Sequence, residues 1–241
     1  GATEARAADL LAADRAVEYP EPIPDAWQAR AEADGLDTAR IAVFPTVVLT
    51  ETANRLVSAK AVTDGYPLRG SLRIQSAPGA AEQQPSGIPE PGTAWLESRL
   101  LGLLDLEVGE TITLGARDLR VAAILSFEPD RGQGFGSLAP RVMFNHADLE
   151  STELLGPGSR VRHKLLLAGE QATVAQFTDR LAAEQGNAVE IERPSEQGRG
   201  AAEVIEQAKR FLGLAALLTV IVAGVAVLLT VRHYAERQIT G

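Results

Sequence analysis

Short segments of regularly spaced apolar residues fill most of the first 200 positions and predict a mixture of strands and helices. Alternating or β-branched segments predict strands at 40–50, 55–63, 111–114, 119–127, 141–144, 160–168 and 188–192. Apolar residues at helical spacing predict helices at 3–17 (with or without a strand at its end), 24–34, 94–104, 146–155 and 171–185. The order of these elements predicts an α+β fold.

The composition between the elements indicates how the chain is divided. Residues 75–92 are rich in Pro, Gly, Ser and Gln, which is typical of a loop or linker, and a strand-rich section follows them. We therefore expect residues 1–74 and 159–199 to form one subdomain, into which residues 75–158 are inserted as a second. Residues 200–241 are expected to form a stalk and a transmembrane helix.

The longest apolar run extends from Phe211 to Val231 and contains no charged residue. As an α-helix these 21 residues would extend roughly 31 Å, which matches a bilayer core of about 30 Å. Helical spacing continues upstream to about Gly200 without a proline. We predict one long helix that joins the upstream domain to the membrane, and a break at Gly213 is the alternative.

Small residues follow one face of the predicted span. They recur at intervals of three and four positions and are Ala216, Thr219, Ala223, Ala226 and Thr230. Helices in lipid associate through close packing of small residues, so this stripe predicts contact with another membrane helix, in the same chain or in a second copy. The alternative is that the stripe reflects the abundance of alanine in the chain.

Charge and composition narrow the function classes. The chain has 23 basic and 32 acidic residues, a net charge of −9, and its excess of acid lies upstream of the predicted span. Nucleic-acid binding needs clustered Lys and Arg, so no nucleic-acid partner is expected. The acidic upstream part favours an extracytoplasmic location for residues 1–208. The absence of cysteine excludes disulfides, thiolate metal sites and cysteine nucleophiles.

Residues that could carry catalysis or bind a metal are few and scattered. The three histidines lie on different predicted elements and are His146, His163 and His233. Only His233 and Glu236 have a spacing that helical metal sites use, and they lie at the predicted membrane edge without a third ligand. We therefore predict no catalytic residue, no metal site and no cofactor.

A glycine-rich stretch follows the strand predicted at 119–127. No helix start that could bind a phosphate follows it, so a mobile loop is predicted. The glycines of this loop are Gly132, Gly134 and Gly136. Just before it, Asp130 and Arg131 are expected to form a salt-linked turn.

Five short motifs occur in an order shared with a known family. They are Tyr66-Pro67-Leu68-Arg69-Gly70, Trp95-Leu96 with Arg99-Leu100-Leu101, Val108-Gly109-Glu110-Thr111, Glu128-Pro129-Asp130-Arg131-Gly132 and Phe211-Leu212-Gly213-Leu214-Ala215. In this order the chain resembles the MacB/FtsX-like ABC-transporter permeases, and among them the YbbP-type branch. The resemblance extends over nearly the whole chain.

The resemblance implies a discontinuous porter-like subdomain, formed by residues 1–74 and 159–199, with a second subdomain inserted. It also implies a non-catalytic permease subunit in a bacterial inner membrane, working with a separate cytoplasmic ABC ATPase subunit. Its helix would carry ATP-driven movement outward for export or extraction of hydrophobic cargo. The other partners implied are a second permease copy or further membrane helices, and membrane lipid.

A second hypothesis needs only one span. In it the chain is a membrane-anchored binding or sensor domain, and the native reading frame stops soon after Gly241. Because the sequence begins at Gly1 and ends ten residues after the apolar run, we expect it to be a fragment of a longer protein.

Overall fold

The computed structural model describes residues 11–131, 138–156 and 159–193. All of these residues lie in one compact unit. The predicted stalk and transmembrane helix at 200–241, the packing stripe and the glycines of the predicted mobile loop lie outside the described residues, and they stay predictions.

Ten strands of the described chain form one sheet. They are β1 (Arg15–Tyr19), β2 (Asp37–Leu49), β3 (Asn54–Val62), β4 (Arg73–Gln75), β5 (Thr93–Glu97), β6 (Thr111–Leu114), β7 (Arg117–Phe127), β8 (Arg141–Asn145), β9 (Arg162–Ala168) and β10 (Glu190–Glu192). The strand order is β10-β1-β9-β2-β3-β8-β5-β7-β4, and β6 pairs with both β2 and β7. Most neighbours are antiparallel, but β3 with β8 and β5 with β7 run parallel.

Three α-helices accompany the sheet in the described ranges: α1 (Asp25–Ala33), α2 (Ser98–Leu104) and α3 (Gln171–Gln185). Helix α3 buries Val174, Phe177 and Leu181, which share one face because they are three and four positions apart. Together with Trp27 of α1, these side chains form a core against β1 and β9. A short helical turn also spans each of His146–Asp148, Glu150–Thr152 and Gly186–Ala188.

The sheet joins parts of the chain that are distant in sequence. Strands from residues 15–62 and 162–192 form the β10-β1-β9-β2-β3 end of the sheet. Strands from residues 93–145 form the β8-β5-β7 section, with β4 from residues 73–75 at its far edge. The parallel pairing of β3 with β8, which sets Ser58 opposite Arg141, connects the two. We call this pairing the β3–β8 junction. The predicted boundary between residues 74 and 75 falls inside β4, which pairs with β7, and the division into subdomains stays a prediction.

Two predicted helices are wrong over part of their length, whereas the alternative of a strand at the end of the segment 3–17 is confirmed. Residues 15–17 belong to strand β1, and residues 93–97 form β5, so that α2 begins only at Ser98. The stretch Thr93–Leu96 is buried on both faces between β7 and β8, so it lacks the alternation that marks a strand. Residues 146–152 form two short turns of 3-10 helix in place of the expected longer helix.

The turn between β6 and β7 requires a glycine for steric reasons. Gly115 has φ +62°, and a Cβ atom there would lie 2.0 Å from the backbone oxygen of Thr152 and 2.7 Å from Cγ of Leu154. Gly79 also has a positive φ, +79°, but it has open space around it. An alanine at either position would strain the backbone, but only an alanine at Gly115 would also collide with neighbouring atoms.

We expect Gly115→Ala to lower the free energy of unfolding by at least about 2 kcal/mol more than Gly79→Ala does. Gly79→Ala itself should lose about 1 kcal/mol, the usual strain of an alanine in the left-handed region. Urea unfolding followed by tryptophan fluorescence would measure both, because the two tryptophans of the chain are Trp27 and Trp95. Equal losses at the two glycines would contradict the predicted collision.

Candidate functional site

A lysine in the middle of the sheet is the centre of a buried cluster of charges. Lys60 lies on β3 with 1% of its surface exposed. Its Nζ donates hydrogen bonds to Tyr66 Oη at 2.7 Å, to Glu128 Oε1 at 2.6 Å and to Asp130 Oδ1 at 2.7 Å. Tyr66 in turn donates to Asp130. The ammonium thus has three acceptors in place of water, which a buried lysine needs in order to stay charged.

The second oxygen of Glu128 extends the cluster to β8. Arg141 Nε donates to Glu128 Oε2 at 2.8 Å, and Arg141 Nη1 donates to Ser58 Oγ at 2.5 Å on β3. Arg141 and Ser58 are also the residues paired in register at the β3–β8 junction. The side chains of Arg141 and Ser58 therefore join β3 to β8 at the same position where the backbones of the two strands pair.

Glu97, at the end of β5, adds a third strand. One of its carboxylate oxygens accepts from Arg131 Nη2 at 2.6 Å and from the backbone nitrogen of Arg141 at 3.0 Å. The whole group, which we call the ionic network, comprises Ser58, Lys60, Tyr66, Glu97, Glu128, Asp130, Arg131 and Arg141. It holds three cations and three carboxylates, so its formal charge is zero.

The network keeps its central acid ionised. Burial opposes the charge on Glu128, but Lys60 and Arg141 outweigh it by attraction and hydrogen bonding and lower its pKa to about 2. Burial raises the pKa of Tyr66 well above its usual value, and the neighbouring carboxylates of Asp130 and Glu128 raise it further. These protonation states are fixed across the physiological range. The arrangement is therefore suited to holding strands in place.

Two of the motifs behind the family resemblance meet in the ionic network. Tyr66 opens the first motif, and Glu128, Asp130 and Arg131 belong to the fourth. Asp130 and Arg131 are ion-paired, but with Lys60 of β3 and Glu97 of β5, so their pairs join strands as well as the turn. Sequence reasoning missed Lys60. The available signal was a lysine between Ala59 and Ala61, in the apolar second half of β3.

Two of the three histidines line one cavity in spite of their distance in sequence. His146 follows β8, His163 lies on β9, and both line a cavity of about 460 Å³ together with Arg40 of β2. Burial, Arg40 and His163 lower the pKa of His146, in that order of importance, and burial lowers the pKa of His163. Within the described ranges, no three His, Asp or Glu side chains are placed to bind a metal ion.

The described helices are all too short or too polar to cross a bilayer. The predicted packing residues Ala216, Thr219, Ala223, Ala226 and Thr230 lie outside the described ranges, so the structure brings none of them to a site. The same holds for Gly132, Gly134 and Gly136, which directly follow Arg131 of the ionic network.

Comparison with known proteins supports the resemblance proposed from the motifs. No protein-family profile matches the chain. Over 232 residues, 95% of this chain, the sequence is 32% identical to the ABC transporter permease YbbP of Escherichia coli strain K12. The resemblance to the YbbP-type permeases is confirmed. This YbbP-like chain spans 28% of the length of that relative.

Solved structures confirm the mixed α+β fold of the YbbP-like chain. The periplasmic region of MacB from Actinobacillus actinomycetemcomitans superposes with a TM-score of 0.50 at 10% identity, covering 80% of this chain and 95% of that region. The extracellular domain of the noncanonic ABC-type transporter YknZ from Gram-positive bacteria gives a TM-score of 0.51 at 9% identity, covering 74% and 100%. At these identities the similarity shows the fold alone.

Proposed function

We propose that the chain is the extracytoplasmic domain and adjoining membrane helix of a non-catalytic permease subunit in a bacterial inner membrane. The observation that carries this proposal is the 32% identity to the permease YbbP over 95% of the chain. In this proposal residues 1–208 lie outside the cytoplasm, and a cytoplasmic ABC ATPase subunit hydrolyses the ATP. The permease converts that hydrolysis into movement of its extracytoplasmic domain.

The ionic network supports this mechanical role. It links β3 and β8 to β5 and to the segment after β7 with charged hydrogen bonds between 2.5 and 3.0 Å, at the point where the sheet connects distant parts of the chain. Charged hydrogen bonds that are buried and mutually satisfied restrict the relative motion of the groups they join. We therefore propose that the two sides of the β3–β8 junction move together when the domain is driven.

An exposed apolar surface on the β2–β3 hairpin supports the proposal that the cargo is hydrophobic. Val47 and Leu56 are cross-strand partners on the β2–β3 hairpin, and Leu49 lies two residues further along the same face. Their exposed fractions are 43%, 60% and 44%. A surface of this kind suits brief contact with lipid or another apolar cargo, which the proposed function would export or extract from the membrane.

The predicted span supplies the membrane contacts of the proposal. The stripe from Ala216 to Thr230 would pack against another helix of the permease or of a second permease copy, with lipid around the remaining faces. We expect Ala223→Leu to weaken this association, because the added side chain would keep the helices apart. Val225→Leu, which enlarges the other face of the same helix, is the matched control.

Affinity purification of the intact permease from native membranes tests the proposed function. We expect an ABC ATPase to co-purify, and we expect ATP hydrolysis by the complex to fall when Ala223→Leu is introduced but not with Val225→Leu. If the intact protein brings down no ATPase, the permease proposal fails. A native reading frame that ends just after residue 241 would instead favour the membrane-anchored binding or sensor domain.

A further inference from the structure

The cavity lined by His146 and His163 has the composition of a ligand site. Its apolar wall includes Ile23, ahead of α1, with Leu149 and Leu155 from the segment after β8. Its polar wall is formed by Arg40, His146 and His163. The volume of about 460 Å³ falls in the range of pockets that hold small molecules.

The polar wall has hydrogen-bonding groups without partners. His163 has only 5% of its surface exposed, and neither its ring nor that of His146 forms a hydrogen bond with a described residue. Arg40 Nε is buried and also has no acceptor. Arg40 is otherwise held by Asp25 at 2.7 Å from Nη2. Buried polar groups are nearly always paired in native proteins, so the unpaired Nε of Arg40 indicates an acceptor at this place. The two imidazoles at the same cavity can bind the same acceptor.

The charged, polar and apolar groups that line the cavity indicate which class of ligand it can bind. A metal ion is disfavoured, because the guanidinium of Arg40 is a fixed cation beside the two imidazoles and no third His, Asp or Glu ligand is placed to complete a site among the described residues. Arg with two imidazoles matches a carboxylate, which accepts several hydrogen bonds through two oxygens. The apolar wall matches a hydrocarbon portion.

We propose that this cavity binds a small aliphatic carboxylate, with its anionic head at Arg40, His146 and His163 and its tail against Ile23, Leu149 and Leu155. The proposal concerns binding by this domain and does not depend on the permease function. The carboxylate supplies the acceptors that the protein lacks at this place.

Proton uptake should accompany binding. Burial, Arg40 and His163 disfavour the charged form of His146, so the empty cavity holds its imidazoles neutral near neutral pH. A bound anion reverses that preference, and affinity should therefore rise as the pH falls. The other ionisable groups around the cavity are Glu150 in its lining, Asp25 on Arg40 and Tyr19, the register partner of His163 on β1. The single carboxylate in the lining, Glu150, favours a ligand with one negative charge over one with two.

The experiment follows the histidine rings directly. The complete 241-residue chain, labelled with carbon-13 at histidine Cε1 and placed in lipid nanodiscs, gives three ring signals, since the chain has three histidines. Single His→Gln variants assign them. The probes are hexanoate, acetate, inorganic phosphate and hexanol.

We expect hexanoate to shift the His146 and His163 signals with one common Kd, about tenfold or more below that for acetate. The Kd should fall about threefold or more between roughly pH 7.5 and pH 5.5. The His233 signal should stay unchanged. No shift up to about 20 mM hexanoate would overturn the proposal. Phosphate binding as tightly as hexanoate, or hexanol doing so, would also overturn it by showing a site for charge alone or for apolar groups alone.

Single substitutions distinguish the loss of a contact to the carboxylate head group from a general disturbance of the fold. Arg40→Gln should raise the Kd for hexanoate about tenfold or more, because it removes the fixed charge. Arg30→Gln, on α1 and paired with Glu184 on the surface, should leave it unchanged. If Arg40→Gln does not fold, His146→Gln is used, and an unchanged Kd in a folded variant of either kind contradicts the assignment.

Discussion

Replacing Lys60 by methionine should lower the free energy of unfolding of the domain by about 3–5 kcal/mol, the usual range when one member of a buried ion pair is removed. Methionine matches the length of the lysine stem but cannot donate to Glu128 or Asp130. Both carboxylates would then remain buried with fewer counter-charges. Urea unfolding followed by tryptophan fluorescence measures the loss, because Trp27 and Trp95 both lie in this domain.

An exposed ion pair provides the control for Lys60. Arg73 and Glu82 are 3.3 Å apart, with side chains 57% and 43% exposed. We expect Arg73→Met to change the free energy of unfolding by less than about 1 kcal/mol, because water screens and replaces such a pair. If Lys60→Met and Arg73→Met have similar effects, the network does not hold the sheet together as proposed.

Replacing Glu128 by glutamine should make stability less dependent on pH in the acid range. Lys60 and Arg141 lower the pKa of Glu128 in the folded state to about 2, whereas the ordinary pKa of a glutamate is 4.5. A carboxyl with a lowered folded-state pKa stabilises the protein above its unfolded-state pKa, and this stabilisation is lost as the pH falls toward the folded-state value. The wild type should therefore lose stability from about pH 5 downward, and Glu128→Gln should lack this contribution.

The stabilities of the wild type and of Glu128→Gln can be compared between about pH 6 and pH 3, well above the pH at which every carboxyl is protonated. At pH 6 we expect Glu128→Gln to be about 3–5 kcal/mol less stable, because Lys60 and Arg141 lose their shared counter-charge. Between about pH 6 and pH 3 this difference should narrow by about 2 kcal/mol, which follows from the separation of the two pKa values. The control Glu82→Gln should differ from wild type by less than about 1 kcal/mol at both pH values. A constant gap for Glu128→Gln would contradict the lowered pKa.

Four of the longer strands were predictable because apolar and β-branched residues recur along them. In β2, β3, β7 and β9 the apolar positions recur with a strand-like pattern, and the predicted ranges fall within one to three residues of the observed ones. Helix α3 was predicted at its observed bounds, because Val174, Phe177 and Leu181 follow helical spacing. These local patterns identify elements before any long-range contact is known.

Strand β5 shows where a local pattern is insufficient. Both of its faces are buried, because Ala94 and Leu96 pack in one core cluster and Trp95 packs in another. Only the packing of the whole fold explains that burial. Strand β1 was predicted only as an alternative at the end of a helix, since its partners β9 and β10 are far along the chain. In both regions, pairing with distant strands overrode helical spacing.

The candidate sites were less predictable than the fold, because their members come from separate elements. Lys60 contacts Glu128, 68 positions away, and Arg141 contacts Ser58, 83 positions away. His146 and His163 were correctly placed on different elements, but the sequence does not show that both elements border one cavity. Such encounters are set by strand order, which the sequence pattern left open.

Strand order also sets the time at which each strand of a newly made chain can find its partners. Arg15 of β1 pairs with Leu167 of β9, about 150 positions later, and the other partner of β1 is β10, which is later still. At the usual pace of synthesis of about 5–20 residues per second, β1 waits roughly 8–30 s with both edges unpaired. During that interval its buried residues Ala16 and Val17 are open to wrong partners. The N-terminal strand is therefore completed last, and we expect the nascent domain to depend most on chaperone protection at this strand.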